Sequence, residues 1–591
     1  MSTQDIGATL IAPQDAQQAV ASSQAILDQQ QASPRIWQHD PSLWKSDPAV
    51  QEKIKDRLGW LTVANTMQAQ RGEITALVDQ VRQAGYQSAV LLGMGGSSLC
   101  PEVLRLTFGI APGYLKLFVL DTTDSDTIHA VEQQIDLKTT LFIVASKSGS
   151  TIETLSHFKY FFEKESKLQG EQAGEHFIAI TDPGTSLEKL ARDNHFRHIF
   201  SNPPDIGGRY SALSFFGLVP GGLIGVDIEQ LLARAQQMMA DCSAEHDAEH
   251  NPGLWLGTVM GTLSKRGRDK ITFLTSPEIS SYGYWVEQLI AESTGKEGRG
   301  LIPVQGEEAG SPQVYGHDRL FVYLRLQDGH NAEIDQRIGA LQTAGHPIVQ
   351  IDLKDRYDLG GEFFRWELAT AVAGLFLDIN PFDEPNVQES KDNTKRLLTQ
   401  YQQEHRLPEP QPIVTYGNVD LRDQHLTGGQ STTQEKVAIG KPRVQVYGKE
   451  NGGENLADYL HNFLSQVRPG DYIAIMAYVQ LTDDTENALQ ALRLHLRNTY
   501  KVATTLGYGP RFLHSTGQLH KGGPNTGVFI QVTGDIRQDA DIPGEPYTFG
   551  TLKEAQALGD LFSLDSHQRR TIRIHIPGDI VQGLEIVEQS L

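Results

Sequence analysis

Only two cysteines, Cys100 and Cys242, occur in 591 residues, so a disulfide framework is excluded and no Cys/His spacing offers a zinc site. No run of about eighteen apolar residues, the length of a membrane-crossing helix, appears anywhere. The first thirty residues lack the basic start and apolar core of an export signal, and we expect a cytoplasmic chain with no membrane partner. Basic blocks are missing too. The formal net charge is -22, from 51 Lys+Arg against 73 Asp+Glu, which speaks against nucleic acid or an acidic lipid surface. A small anion is not excluded, because a few N–H groups at a helix start outweigh a distant, screened surface charge.

What is present is enough apolar residue, 39 %, for more than one core in a chain this long. Residues 1–50, rich in Gln, Ala and Ser, read as a loosely held lead-in. From 51 to 225 short apolar runs (Gln87–Leu92, Leu117–Leu120, Thr140–Ala145, Phe177–Thr181, His198–Phe200) alternate with helical patterning, as parallel strands with crossover helices require. Residues 226–406 repeat the idea with Lys270–Thr275, Leu320–Leu324 and Ile348–Asp352 between helices such as Tyr284–Glu292 and Phe363–Leu377. A polar, Pro/Gly-rich stretch at 407–440 reads as a linker or arm, and 441–591 as a C-terminal α/β domain with strands near Arg443–Tyr447, Tyr472–Ala477, Lys501–Thr505, Val528–Val532 and Thr571–Ile574.

Five motifs could carry chemistry. In SAVLLGMGGSSLCPEVLR (88–105) a strand runs through glycines, Gly96 among them, and Ser97 into a helix, a turn that brings backbone N–H groups close to a ligand; it could equally be an ordinary strand-to-helix turn. In FIVASKSGSTIETL (142–155) Ser146, Lys147, Ser148, Ser150 and Thr151 precede a helix, and four hydroxyls exceed the single one a helix cap needs, which points to phosphate. DIGGRYSALSFFG (205–217) presents Arg209, able to stabilise a developing oxyanion or simply to pair on the surface. YWVEQLIAESTGKEGRG (284–300) puts Gln288 and Glu292 four apart on one helical face, the glutamate in the last turn, where a solvated side chain is the plain alternative. FLDINPFDEPNVQESK (376–391) is an acidic turn before Lys391.

Taken in order, GMGGSSLCP, SKSGSTIET, GGRYSALS, Gln288 with ESTGK, and DINPFDEPNVQESK resemble the signature blocks of the glucose-6-phosphate isomerase family. The whole chain resembles the isomerase half of bacterial transaldolase/glucose-6-phosphate isomerase fusions, without the transaldolase half. The resemblance implies an α/β fold of two sugar-isomerase-type lobes, with open, mostly parallel sheets and flanking helices, plus the C-terminal α/β domain. It implies reversible isomerisation of glucose 6-phosphate and fructose 6-phosphate through a cis-enediol, in glycolysis and gluconeogenesis, with no metal or other cofactor. Ser146, Lys147, Ser148 and Thr151 would hold the phosphate, and Gly96, Ser97 and Gln288 would line the sugar site. Glu292 would be the base, Arg209 would stabilise the enediolate, and Lys391 would assist ring opening.

The chain departs from the family pattern twice. Glu384 replaces the expected Gln in the last block, and the ring-opening His expected between base and lysine is missing there: His317, His330 and His346 lie outside the pattern. HSTGQ (514–518), in the C-terminal unit, resembles the missing His-x3-Gln segment, which in family dimers comes from the partner. Here His514 would come from the same chain, with His520 and Lys521 nearby; a plain loop histidine is the alternative. Monomer or homodimer, and association with a transaldolase, stay open. Two other readings are a dual glucose/mannose phosphate isomerase and a non-catalytic phosphosugar sensor, which would not need Arg209, Glu292 and Lys391 together.

Overall fold

The computed structural model describes residues 6–417 and 444–591. Sixteen strands among the described residues form three sheets. The first strand of the chain, β1 (Ala8–Ile11), joins the second sheet. The first sheet follows: β2 (Ser88–Leu92), β3 (Lys116–Leu120), β4 (Thr140–Ala145), β5 (Phe177–Thr181) and β6 (His198–Ser201), in the order β3-β2-β4-β5-β6 and parallel throughout. All six residues of β4, TLFIVA, are buried, as a central parallel strand covered on both faces demands. After β2 the chain turns to one side of the sheet and after β4 to the other, so a crevice opens between the carboxyl ends of these two strands. The two Gly/Ser-rich motifs follow those two strands.

The second sheet contains β7 (Lys270–Thr275), β8 (Ile302–Val304), β9 (Arg319–Leu326) and β10 (Ile348–Leu353), in the order β1-β10-β9-β7-β8, with only β1 antiparallel. Its helices Tyr282–Thr294 and Leu359–Leu377 are apolar almost all round and almost wholly buried. The third sheet is β11 (Val414–Tyr416), β12 (Val444–Tyr447), β13 (Tyr472–Tyr478), β14 (Ala503–Tyr508), β15 (Gly527–Gly534) and β16 (Arg570–Ile576), in the order β11-β12-β16-β15-β13-β14, parallel from β16 to β14.

Two expectations need correction. Residues 6–50 are not a loose lead-in: β1 extends the second sheet alongside β10, and Val20, Leu27, Ile36 and Trp44 are buried. The helix Gln14–Gln29 buries a single stripe, Ala16, Val20, Gln24 and Leu27, and its Gln-rich remainder hid that spacing. The expected linker at 407–440 begins with structure, since β11 pairs with β12; residues 418–440 of it lie outside the described residues.

Candidate active site

At the carboxyl end of β4, residues 146–151 lead into the helix Ile152–Gln169. Gly149, at φ +69°, turns the loop tightly, and a Cβ there would stand 2.8 Å from that of Thr185. Ser146 and Thr151 join their hydroxyls at 2.9 Å, and the Gly149 N–H donates to Ser146 Oγ at 3.1 Å. Thr151 occupies the N-cap position, yet its side chain does not cap the helix. The helix start therefore keeps its N–H groups directed at the crevice, with Ser148 and Ser150 exposed beside it. Lys147 is placed otherwise than a free phosphate ligand: its ammonium is paired with Asp182 and donates to the Pro204 carbonyl at 2.9 Å.

Gly96, Ser97, Arg209, Gln288 and Glu292 form a buried cluster. Gly96, after β2, packs so tightly on the Gly208 turn that a Cβ would lie 2.0 Å from the Gly208 carbonyl oxygen; its contribution is this close approach, and Ser97 beside it is buried. The approach fixes the neighbouring Arg209, whose side chain is only 2 % exposed. Its guanidinium donates to Ser293 Oγ (2.7 Å), Glu384 Oε2 (2.9 Å) and the carbonyls of Pro381 (2.8 Å) and Asp383 (3.0 Å). Glu292 Oε1 lies 3.5 Å from Arg209 Nη1. Burial drives the Glu292 carboxyl above the usual range; Arg209 pulls it back and Glu384 pushes it further up. Gln288 Nε2 donates to Glu292 Oε2 at 3.0 Å and to the carbonyl of His514 at 2.7 Å, while its own Oε1 is buried without a partner.

The C-terminal unit thus reaches the cluster. His514 lies in the turn after β14, and its Nε2 meets Glu153 Oε1 at 2.9 Å. Burial opposes the charge of Glu153, but His514 beside it holds the carboxyl below its ordinary value. A cavity of about 600 Å³ brings His514 together with Thr151, Ser150, Glu153 and Lys391, the last exposed on the helix Pro385–Glu404. Glu292 is not among the residues lining it; Gln288 and the His514 main chain join the two parts. His520 and Lys521 do not accompany His514. Lys521 pairs with Asp560 at 2.7 Å inside the C-terminal unit, and His520, enclosed by Phe512 and Phe529, is held well below the ordinary histidine range by burial.

A Phosphoglucose isomerase family model matches residues 64–299, which include the cradle, Arg209, Gln288 and Glu292. Residues 64–299 thus carry a domain of the glucose-6-phosphate isomerase family. A probable glucose-6-phosphate isomerase of Methanococcus maripaludis is 29 % identical over 352 residues, 53 % of this chain and 79 % of that one. A glucose-6-phosphate isomerase of Carboxydothermus hydrogenoformans is 28 % identical over 403 residues, 59 % of this chain and 86 % of that one. The crystal structure of a Chlamydia trachomatis glucose-6-phosphate isomerase matches with a TM-score of 0.56 at 19 % identity, over 67 % of this chain and 89 % of that one, a likeness of fold. The glucose-6-phosphate isomerase model ends at residue 299, short of Lys391 and His514.

Three contributors escaped the sequence reading. Glu153 stands inside the SKSGSTIET block, where an acidic residue in a helix's first turn was a usable signal. Asp121 and Arg511 pair across the two units (Nε–Oδ2 2.8 Å, Nη2–Oδ1 2.9 Å), and Ser98 donates to the same carboxylate at 3.1 Å. No local pattern marks either of them.

Proposed function

We propose that the chain catalyses the reversible aldose–ketose isomerisation of glucose 6-phosphate and fructose 6-phosphate through a cis-enediol, as a cytoplasmic enzyme of sugar metabolism. The family match over residues 64–299 supports the reaction, as do the names of the relatives. The observation that carries the assignment of roles is the buried carboxylate Glu292, held 3.5 Å from Arg209 and 3.0 Å from the Gln288 amide.

Isomerisation requires opening of the hemiacetal, removal of a weakly acidic C–H beside a carbonyl, and return of the proton to the neighbouring carbon. The phosphate is received by the hydroxyls of Ser146, Ser148 and Thr151 and the uncapped helix start, with Lys147 and its Asp182 partner alongside. Lys391 and His514 act on the ring oxygen and the anomeric hydroxyl, with Glu153 orienting the imidazole. Glu292, made more basic by burial, takes the proton from one carbon and returns it to the next. Arg209, fixed by four other acceptors, needs no reorganisation to stabilise the enediolate oxygen. The unpartnered Gln288 Oε1 is an acceptor suited to a sugar hydroxyl. With His514 supplied by its own C-terminal unit, the site needs no second copy of the chain.

Glu292→Gln keeps the shape and removes the base. In a coupled assay from fructose 6-phosphate we expect turnover to fall by about a thousandfold or more, with substrate binding by calorimetry retained. Wild-type turnover in the variant would falsify the assignment. Mannose 6-phosphate in the same assay decides the substrate range.

A further inference from the structure

Glu153 Oε1 accepts two hydrogen bonds, one from His514 and a second, at 2.7 Å, from Nε2 of Gln556. Gln556 lies on the helix Phe549–Ser566 of the C-terminal unit and borders the same cavity as His514, but at 2 % exposure it shows a substrate only a small part of its side chain. Its amide orientation is determined. Oε1 accepts from the Thr123 hydroxyl at 2.8 Å, and a flip would set that oxygen against the Glu153 carboxylate. Thr123, fully buried, belongs to the segment after β3 on which the C-terminal unit docks: Asp124 pairs with Lys553 at 2.8 Å and Ser125 donates to Asp539 at 2.8 Å. The chain Thr123–Gln556–Glu153–His514 crosses the boundary between the two units three times.

We propose that Gln556 is a positioning residue for ring opening: by holding the Glu153 oxygen that His514 also meets, it fixes the imidazole over the sugar ring. The proposal rests on the isomerase reading and on the role assigned to His514 there. A buried carboxylate with one donor can rotate about its last torsion; with two donors on the same oxygen, one anchored through Thr123, it cannot without breaking a bond inside the protein. Gln556, Glu153 and Thr123 make no contact with Glu292, and His514 reaches it only as a neighbouring charge and through its main-chain carbonyl on Gln288, so the two steps should separate.

The test compares two substrates in the full-length protein. Glucose 6-phosphate must be opened; a fructose 6-phosphate lacking its 5-hydroxyl cannot close a five-membered ring and reports proton transfer alone, read as deuterium incorporation from solvent by NMR. In Gln556→Met, which keeps volume and removes both amide bonds, we expect kcat/KM for glucose 6-phosphate to fall about tenfold or more, while exchange into the open-chain ketose stays within about twofold of wild type. Equal losses on both substrates, the mark of a merely structural role, overturn the proposal, and so does no loss on either. His514→Ala sets the scale. If it loses glucose 6-phosphate turnover while Gln556→Met does not, only the Gln556 assignment falls; if it loses none, the role of His514 and this inference fall together; if wild type turns over neither sugar, the isomerase reading falls as well. Thr123→Val, which keeps the amide but frees its oxygen, should show the same selectivity at about threefold, and gives a second reading if Gln556→Met folds poorly.

Discussion

The site has a closed half and an open half, and they are built differently. Arg209, Gln288 and Glu292 are buried, held by protein partners and drawn from the first two sheets and their helices. Lys391 and His514 face a cavity of about 600 Å³ and come from a helix and a turn beyond the family model. Charges that must act strongly on a developing oxyanion gain from low dielectric and fixed geometry. Groups that handle the ring of a hexose must admit the hexose, so they sit at a seam between units, where shape depends on docking. The closed half should therefore respond to mutation in its chemistry, and the open half in its geometry.

The strongest way to break this contrast is at the docking contact. Asp121→Ala leaves Arg511 largely buried without its carboxylate and frees the turn carrying His514. We expect a stability loss of a few kcal/mol by denaturant titration, and a fall of about a hundredfold in glucose 6-phosphate turnover with the open-chain sugar affected far less. Arg511→Met combined with Asp121→Ala should recover much of the stability but not the activity. Full ring-closed activity in Asp121→Ala would show that His514 is held without this pair.

The two halves were also unequally legible in the sequence. Glu292, Gln288 and Arg209 stand in contiguous blocks because the tight turns and helix ends that present them are local, and the position of β4 makes the Ser/Thr run a helix N-terminus at the crevice. The parallel sheets followed from apolar runs such as TLFIVA. What local pattern could not supply was pairing across units: Arg511 with Asp121 is separated by 390 residues and Gln556 with Glu153 by 403. The paired state of Lys147 was hidden for the same reason, since Asp182 and Pro204 come from neighbouring strand ends. Likewise β1 was missed because four residues of modest apolarity make a strand only when a sheet edge receives them.

A pH-dependent effect tests whether the closed half's burial extends around its helix. Glu287, next to Gln288, is buried, and desolvation pushes its carboxyl up to about 8, moderated by Arg493 and Arg511. Because the folded value lies above the unfolded one, the stability this group contributes is fully present below about 4.5 and is lost as pH rises through about 8. Glu287→Gln removes that titration. Wild type should lose several kcal/mol relative to the variant between pH 5 and pH 8.5, measured by chemical denaturation across that range. Parallel curves would mean the carboxylate is hydrated.

The smallest change sharpens the comparison from inside the closed half. Arg209 Nη1 is shared between Glu384 at 2.9 Å and Glu292 at 3.5 Å, so Glu384 both repels the base and draws the guanidinium away from it. The charged groups acting on Glu292 are Arg209, Glu384 and His514. In Glu384→Gln both effects of the extra carboxylate disappear with the same sign: the like charge is gone and Arg209 can approach Glu292. The base then loses its proton at lower pH, so the acidic limb of the kcat profile, which in wild type lies above the ordinary carboxylate range, moves down. At neutral pH kcat should change by no more than about threefold, because a weaker base is more fully ionised. The limb is read with fructose 6-phosphate between pH 4.5 and 7. A limb that stays put would mean that Glu384 is too well solvated, with 42 % of its side chain exposed, to be felt at Glu292. In that case burial alone, and not the shared arginine, would set the strength of the base.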